Sequence, residues 1–159
     1  MPVVVDGYNL LHAIAASGEE FQLFTEDDMC RYISEYCVKV RNQCSVVFDG
    51  TGPLDKSGLG WLKNCEIYFS GPHKDADTWI EEKIADSSAP KNLIVVSTDR
   101  RLRDAATRRK AISIQSHIFW ALVIQELDKK APTPEPREKR KGLTEGETDQ
   151  WMDIFDLDD

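Results

Sequence analysis

Apolar residues fall into two rhythms along this chain. Short apolar runs at 3–5, 45–48, 66–69, 93–96 and 112–114 predict strands. Between them, the stretches near 8–17, 25–42, 75–87, 99–110 and 116–129 predict helices. Strands alternating with helices predict an α/β fold, a three-layer α/β/α sandwich around a central, mostly parallel sheet. The run Val3-Val4-Val5 is β-branched throughout, as expected of a strand buried on both faces. It ends on Asp6, and Gly7 is expected to permit a sharp exit into the first helix. No internal repeat is present.

Carboxylates recur where these elements end or begin. Asp6 and Asp49 each close a strand and are each followed by glycine, and Asp99 lies just past the fourth strand. "GPHKDADTWIEEKI" brings Asp75, Asp77, Glu81 and Glu82 to the third helix. Asp77 and Glu81 are i and i+4 neighbours bordering the stripe of Ile80 and Ile84, where like charges resist desolvation unless a cation or protons compensate. Each acid also has an ordinary explanation. Asp6 suits a turn, and Asp75 and Asp99 suit helix N-caps. Yet in a parallel sheet these strand ends share one edge, the edge where open α/β sheets place their ligands. Asp6, Asp49 and Asp99 would converge there, with Asp77 on a helix starting at that edge. Several acids on one rim suit Mg²⁺ or Mn²⁺, hard cations that prefer oxygen.

Composition narrows the partners. The 159 residues suggest one domain, 1–129, followed by a proline-rich basic linker, 130–141, and an acidic tail, 142–159. A net charge of −8 means that any polyanion needs a local basic patch or bound cations. Such a patch is expected on the helix after Asp99, where Arg100, Arg103, Thr107 and Lys110 share a ridge opposite Leu102, Ala105 and Ala106. A solvated face favourable to the helix dipole explains Arg108, Arg109 and Lys110 equally well, so the weight rests on Arg100 and Arg103. Lys74 and His73 could also meet a phosphate, and Tyr8 could stack a base or simply pack. The loop "GTGPLDKSGLG" only superficially resembles a phosphate loop and is expected to be mobile beside the site.

No apolar run is long enough to span a bilayer and no basic, then apolar, leader is present, so a cytoplasmic setting without a membrane is expected. Cys30, Cys37 and Cys44 recur every seven residues. On a helix that is about 10.5 Å, beyond disulfide or shared-zinc reach, so they are expected to pack as small hydrophobes. Cys65 has no partner in the sequence pattern. The tail carries seven acids with Trp151, Ile154, Phe155 and Leu157 among them. That pattern fits a segment docking on a protein partner or a solubilising tail whose aromatics pack back on the domain.

Taken in order and spacing, "VVVDGYNLL", "VVFDG", "DADTWIEEKI" and "VVSTDRRLRDAA" resemble the NYN domain, and within it the YacP-like branch of PIN-related ribonucleases. The resemblance covers roughly residues 2–128 and leaves 130–159 outside. It implies a PIN-like sandwich and a cytoplasmic, Mg²⁺- or Mn²⁺-dependent endoribonuclease acting on RNA, ribosome-associated mRNA included. Position by position, it implies that Asp6, Asp77 and Asp99 hold metal. Asn9, Asp49 and Glu81 take supporting polar positions, Asn9 and Glu81 orienting water and Asp49 adding to the metal site. Two other readings stay open on the residues alone. One is a phosphoaspartate-type phosphatase or receiver, against which stands Tyr8 where a phosphatase wants a second acid. The other is an RNA- or ribosome-binding adaptor without cleavage, against which stands the presence of all three principal acids.

Overall fold

The computed structural model describes residues 1–52 and 62–129. The expectations for most of the 50–60 loop, the linker and the acidic tail therefore lie outside the described residues. The chain runs β1 (Pro2–Asp6), α1 (Gly7–Ser17), α2 (Glu26–Val40), β2 (Gln43–Phe48), β3 (Cys65–Phe69), α3 (Ala76–Asp86), β4 (Ile94–Val96), α4 (Arg100–Arg108), β5 (Ile112–Ile114) and α5 (Ser116–Asp128). Short 3₁₀ turns at Glu19–Phe21 and Pro90–Asn92 are additions that periodicity does not predict.

The five strands form one sheet in the order β3-β2-β1-β4-β5, and every neighbouring pair is parallel. The chain builds outward from β1 through β2 to β3, then returns to the other side of β1 for β4 and β5. The carboxyl ends of β1 and β4 thus flank the point where strand order reverses, which is where such sheets open a crevice.

Strand alternation divides the core. Val3 and Val5 face α1, α2 and α5 with Val46, Phe48, Ile94 and Val96, while Val4, Val47 and Val95 face α3 and α4. The same alternation, continued past the strand ends, sends Asp6, Asp49 and Ser97 toward the α3/α4 side. Gly7 answers a different demand from the one expected. Its φ is not positive, but an added Cβ would lie 2.5 Å from the Phe48 ring and 2.9 Å from the Val47 carbonyl oxygen. Close packing of α1 on β2, rather than a sharp turn, requires glycine there.

The cysteines also need one correction. Cys44 lies on β2, not on the helix of Cys30 and Cys37, and Cys65 is its register partner on β3. All four are buried and free in the core between α2 and the sheet. Contact with Cys65, then burial, pushes the Cys30 thiol up, and burial with contacts to Cys37 and Cys65 does the same for Cys44, so both pack as neutral groups.

Candidate active site

Asp6 ends β1 and is 8% exposed. Its Oδ2 accepts a hydrogen bond of 3.0 Å from Ser97 Oγ. Ser97 Oγ in turn accepts the Asp99 backbone N–H at 3.0 Å. Ser97, buried and just past β4, thus links two of the expected metal-site acids. The motif-based reading passed over it, although "VVSTDRR" places a hydroxyl on the same strand face that Asp6 uses.

Asp99 does cap α4, since its Oδ1 accepts the Arg101 backbone N–H at 2.8 Å. Asp75 caps α3 in the same way through Thr78 N–H at 2.7 Å. For Asp99 the capping explanation and the site explanation therefore hold together. Asp77 occupies the first turn of α3, half-buried.

Electrostatics ties the three acids to one another. Burial pushes the Asp6 carboxyl up from 3.8 to about 6, with the Asp77 and Asp99 charges adding to it and the Ser97 hydroxyl opposing. Burial likewise raises Asp77, Asp99 adds to it, and Arg101 pulls the other way. Among the described residues no three His, Cys, Asp or Glu side chains stand gathered as a finished metal cage. Still, the donor set fits a hard divalent cation. Three carboxylates of mutually unfavourable charge share a partly desolvated rim, and an oxygen-preferring cation would relieve that repulsion.

The supporting residues are more committed than expected. Asn9 Oδ1 accepts Thr98 N–H at 2.9 Å and Ser116 Oγ–H at 2.5 Å, so it fastens the β4–α4 turn and the start of α5 to α1. Asp49 Oδ1 accepts Ala76 N–H at 3.1 Å and Ser70 Oγ–H at 3.3 Å, which joins the end of β2 to α3. Glu81 Oε1 is buried. Its close partner among the described residues is Arg101 Nε, in an ion pair that lacks hydrogen-bond geometry.

The expected nucleic-acid contacts are scattered. Arg100 is exposed and Arg103 half-buried at the site end of α4, and neither makes an ion pair among the described residues. Lys110 lies beyond the last residue of α4 in a left-handed turn, φ 62°, a helix length away from Asp99. Lys74 is paired with Glu82 at 2.6 Å. Tyr8 is 36% exposed and packs edge-on against Phe48 with ring centres 4.9 Å apart.

The fold that carries these residues has solved counterparts. Two solved structures of Rae1 (YacP) from Bacillus subtilis share the fold. One is 18% identical, with a TM-score of 0.64, covering 99% of this chain and 87% of that one. The other, a W164L mutant, is 21% identical, with a TM-score of 0.61, covering 79% and 76%. No curated protein matches the chain significantly. The model of the YacP-like NYN domain matches residues 3–155, so the resemblance extends beyond residue 128, through the linker and into the acidic tail. With that match over nearly its whole length, the chain belongs to the YacP-like NYN domain family, a PIN-like ribonuclease family.

Proposed function

We propose that the protein is a metal-dependent endoribonuclease, hydrolysing RNA phosphodiester bonds at the rim formed by Asp6, Asp77 and Asp99. The observation that supports this most strongly is the convergence of these acids at the β1/β4 switch point, close enough for each to raise the Asp6 carboxyl. Asp6, Asp77 and Asp99, with Asp49, would hold Mg²⁺ or Mn²⁺, which would supply Lewis acidity at phosphorus and a lowered pKa for water.

The remaining work falls to the chain. Ser97 orients Asp6 through its hydroxyl and, by accepting the Asp99 N–H, fixes where α4 begins. Asn9 holds the intervening turn, while Glu81 acts at one remove through Arg101. Arg100 and Arg103 position the phosphate backbone without reading sequence, with Lys74 and Lys110 further out. Tyr8, on the exposed rim beside Asp6, offers a ring face to a base. Residues 1–129 form the catalytic unit, the acidic tail is left to a protein partner, and the setting is cytoplasmic.

The test is cleavage of circular and linear RNA by purified protein with Mn²⁺ or Mg²⁺, against EDTA and an Asp77→Asn control. Opening of the circular RNA, lost in EDTA and in the variant, is expected. Cleavage that survives both would overturn the metal site, and degradation of linear RNA alone would overturn the endonucleolytic assignment.

A further inference from the structure

Arg101 has contacts that no motif explains. Its backbone N–H donates to Asp99 Oδ1 at 2.8 Å. Its side chain crosses to α3, where Nη2 donates to Thr78 Oγ1 at 3.2 Å, Nη1 lies 3.9 Å from Asp75 Oδ2, and Nε pairs with Glu81. Asp75, Thr78 and Glu81 surround Asp77 on its own helix: the cap residue, the next residue, and the residue one turn on. One residue therefore grips Asp99 with its backbone and the frame around Asp77 with its guanidinium.

The joint it spans needs holding. The apolar layer between α3, α4 and the sheet uses Ile80, Ile84 and Leu102, but also the small Ala76, Ala105 and Ala106. At the far end of the two helices, Arg109 Nη2 donates to the Ser87 carbonyl at 3.0 Å. Arg101 and Arg109 are thus the two cations that tie α3 to α4 among the described residues, Arg101 beside the direct contact of Asp77 with Asp99. At the site end, like charges on Asp77 and Asp99 push the helix starts apart, and the planar fork of Arg101 opposes them.

We propose that Arg101 is a positioning residue that locks α3 to α4 and so sets the separation of Asp77 and Asp99 for a divalent cation. This rests on the nuclease reading of those two acids. Lysine cannot replace it, because a single ammonium cannot span three partners lying along a helix turn.

Mn²⁺ binding, followed by electron paramagnetic resonance on the full chain, tests this without RNA. Asp77→Asn defines the background from other acids. Arg101→Ala and Arg101→Lys should each weaken site-specific Mn²⁺ binding by roughly 10–100-fold, as loss of an outer support does. Arg109→Ala, which cuts only the far link, should bind as the wild type does. At saturating Mn²⁺, kcat should fall in the Arg101 variants while KM for RNA stays within about twofold. Glu81→Gln keeps the shape and removes the ion pair, and a smaller loss there supports the clamp even if Arg101→Ala fails to fold. Undiminished Mn²⁺ binding by Arg101→Ala, or full retention by Arg101→Lys, would overturn the inference. A wild type that binds no more Mn²⁺ than Asp77→Asn would instead overturn the nuclease reading and this inference with it.

Discussion

On one face of the sheet, α1, α2 and α5 bury Phe48, Tyr36, Phe119 and Trp120 with a row of β-branched and sulfur-bearing side chains. On the other, α3 and α4 bury only Val, Ile, Leu and Ala among the described residues, with Trp79 at the margin. The first face also gathers Phe21, Phe24 and Tyr32 around Trp120 at ring-centre distances of 5.5 to 5.7 Å. The thin face lets the first turns of α3 and α4 approach the sheet edge, where the charges of Asp77 and Asp99 act on Asp6. Bulk on one side supplies stability, and its absence on the other leaves room for the acids of the proposed site. The cost is burial and, after it, charge repulsion at the rim, visible in the raised Asp6 and Asp77 carboxyls.

The sharpest break in this comparison comes from the thin face. Asp77→Asn and Asp6→Asn should each lower RNA cleavage on the order of a thousandfold, the equivalent of the several kcal/mol a metal supplies. Stability should move the opposite way. With its carboxyl at about 6 instead of 3.8, Asp6 binds its proton more tightly folded than unfolded. Its contribution to the metal-free protein is full below about pH 4 and is lost as pH rises through about 6. Asp6→Asn removes that loss, about 3 kcal/mol at neutral pH, and can still accept from Ser97. Metal-free melting curves at pH 7 and pH 4 check it: the variant should gain at pH 7 and show a flatter pH dependence. A variant less stable than wild type at pH 7 would contradict the burial penalty and repulsion at Asp6.

Cutting into each core should separate the two faces. Phe119→Ala should cost about 3–5 kcal/mol in urea unfolding while the folded fraction keeps its kcat. Ile80→Ala should cost about 2–5 kcal/mol and lower kcat as well, because Ile80 seats the helix that presents Asp77. Equal effects on kcat from both would dissolve the distinction.

Smaller effects are expected at the surface and among the thiols. Arg100→Ala with Arg103→Ala should weaken RNA binding and reduce the salt slope by about two, measured as log Kd against log salt. An unchanged slope would return that part of α4 to solvated surface. Cys37→Ala, in the thick core, should cost on the order of 1 kcal/mol without changing metal content. Bound zinc that disappears in this variant would mean the thiols do more than pack.

The elements themselves were legible because their periodicities are local. Val3–Val5 reads as a strand buried on both faces, and the observed β1 extends that run by one residue at each end. The all-parallel order follows from strands alternating with helices, which also puts the ends of β1 and β4 on one edge. Lys110 lies past the end of α4 in a left-handed turn, which the helical spacing from Arg100 does not reveal. The constraint on Gly7, the Phe48 ring, comes from a distant strand and so has no local signature in the sequence.

By itself, then, the sequence determined the α/β alternation and the acids at strand ends and helix starts, since both depend on residues a few positions apart. Only the tertiary structure decided how those acids are partnered. Ser97 reaches Asp6 across 91 positions, Asn9 reaches Ser116 across 107, and Arg101 reaches Thr78 across 23. Hydrogen bonds and ion pairs act over a few ångströms whatever the separation along the chain. Which polar atom meets which is therefore set by how the helices seat on the sheet, a quantity that no local spacing encodes.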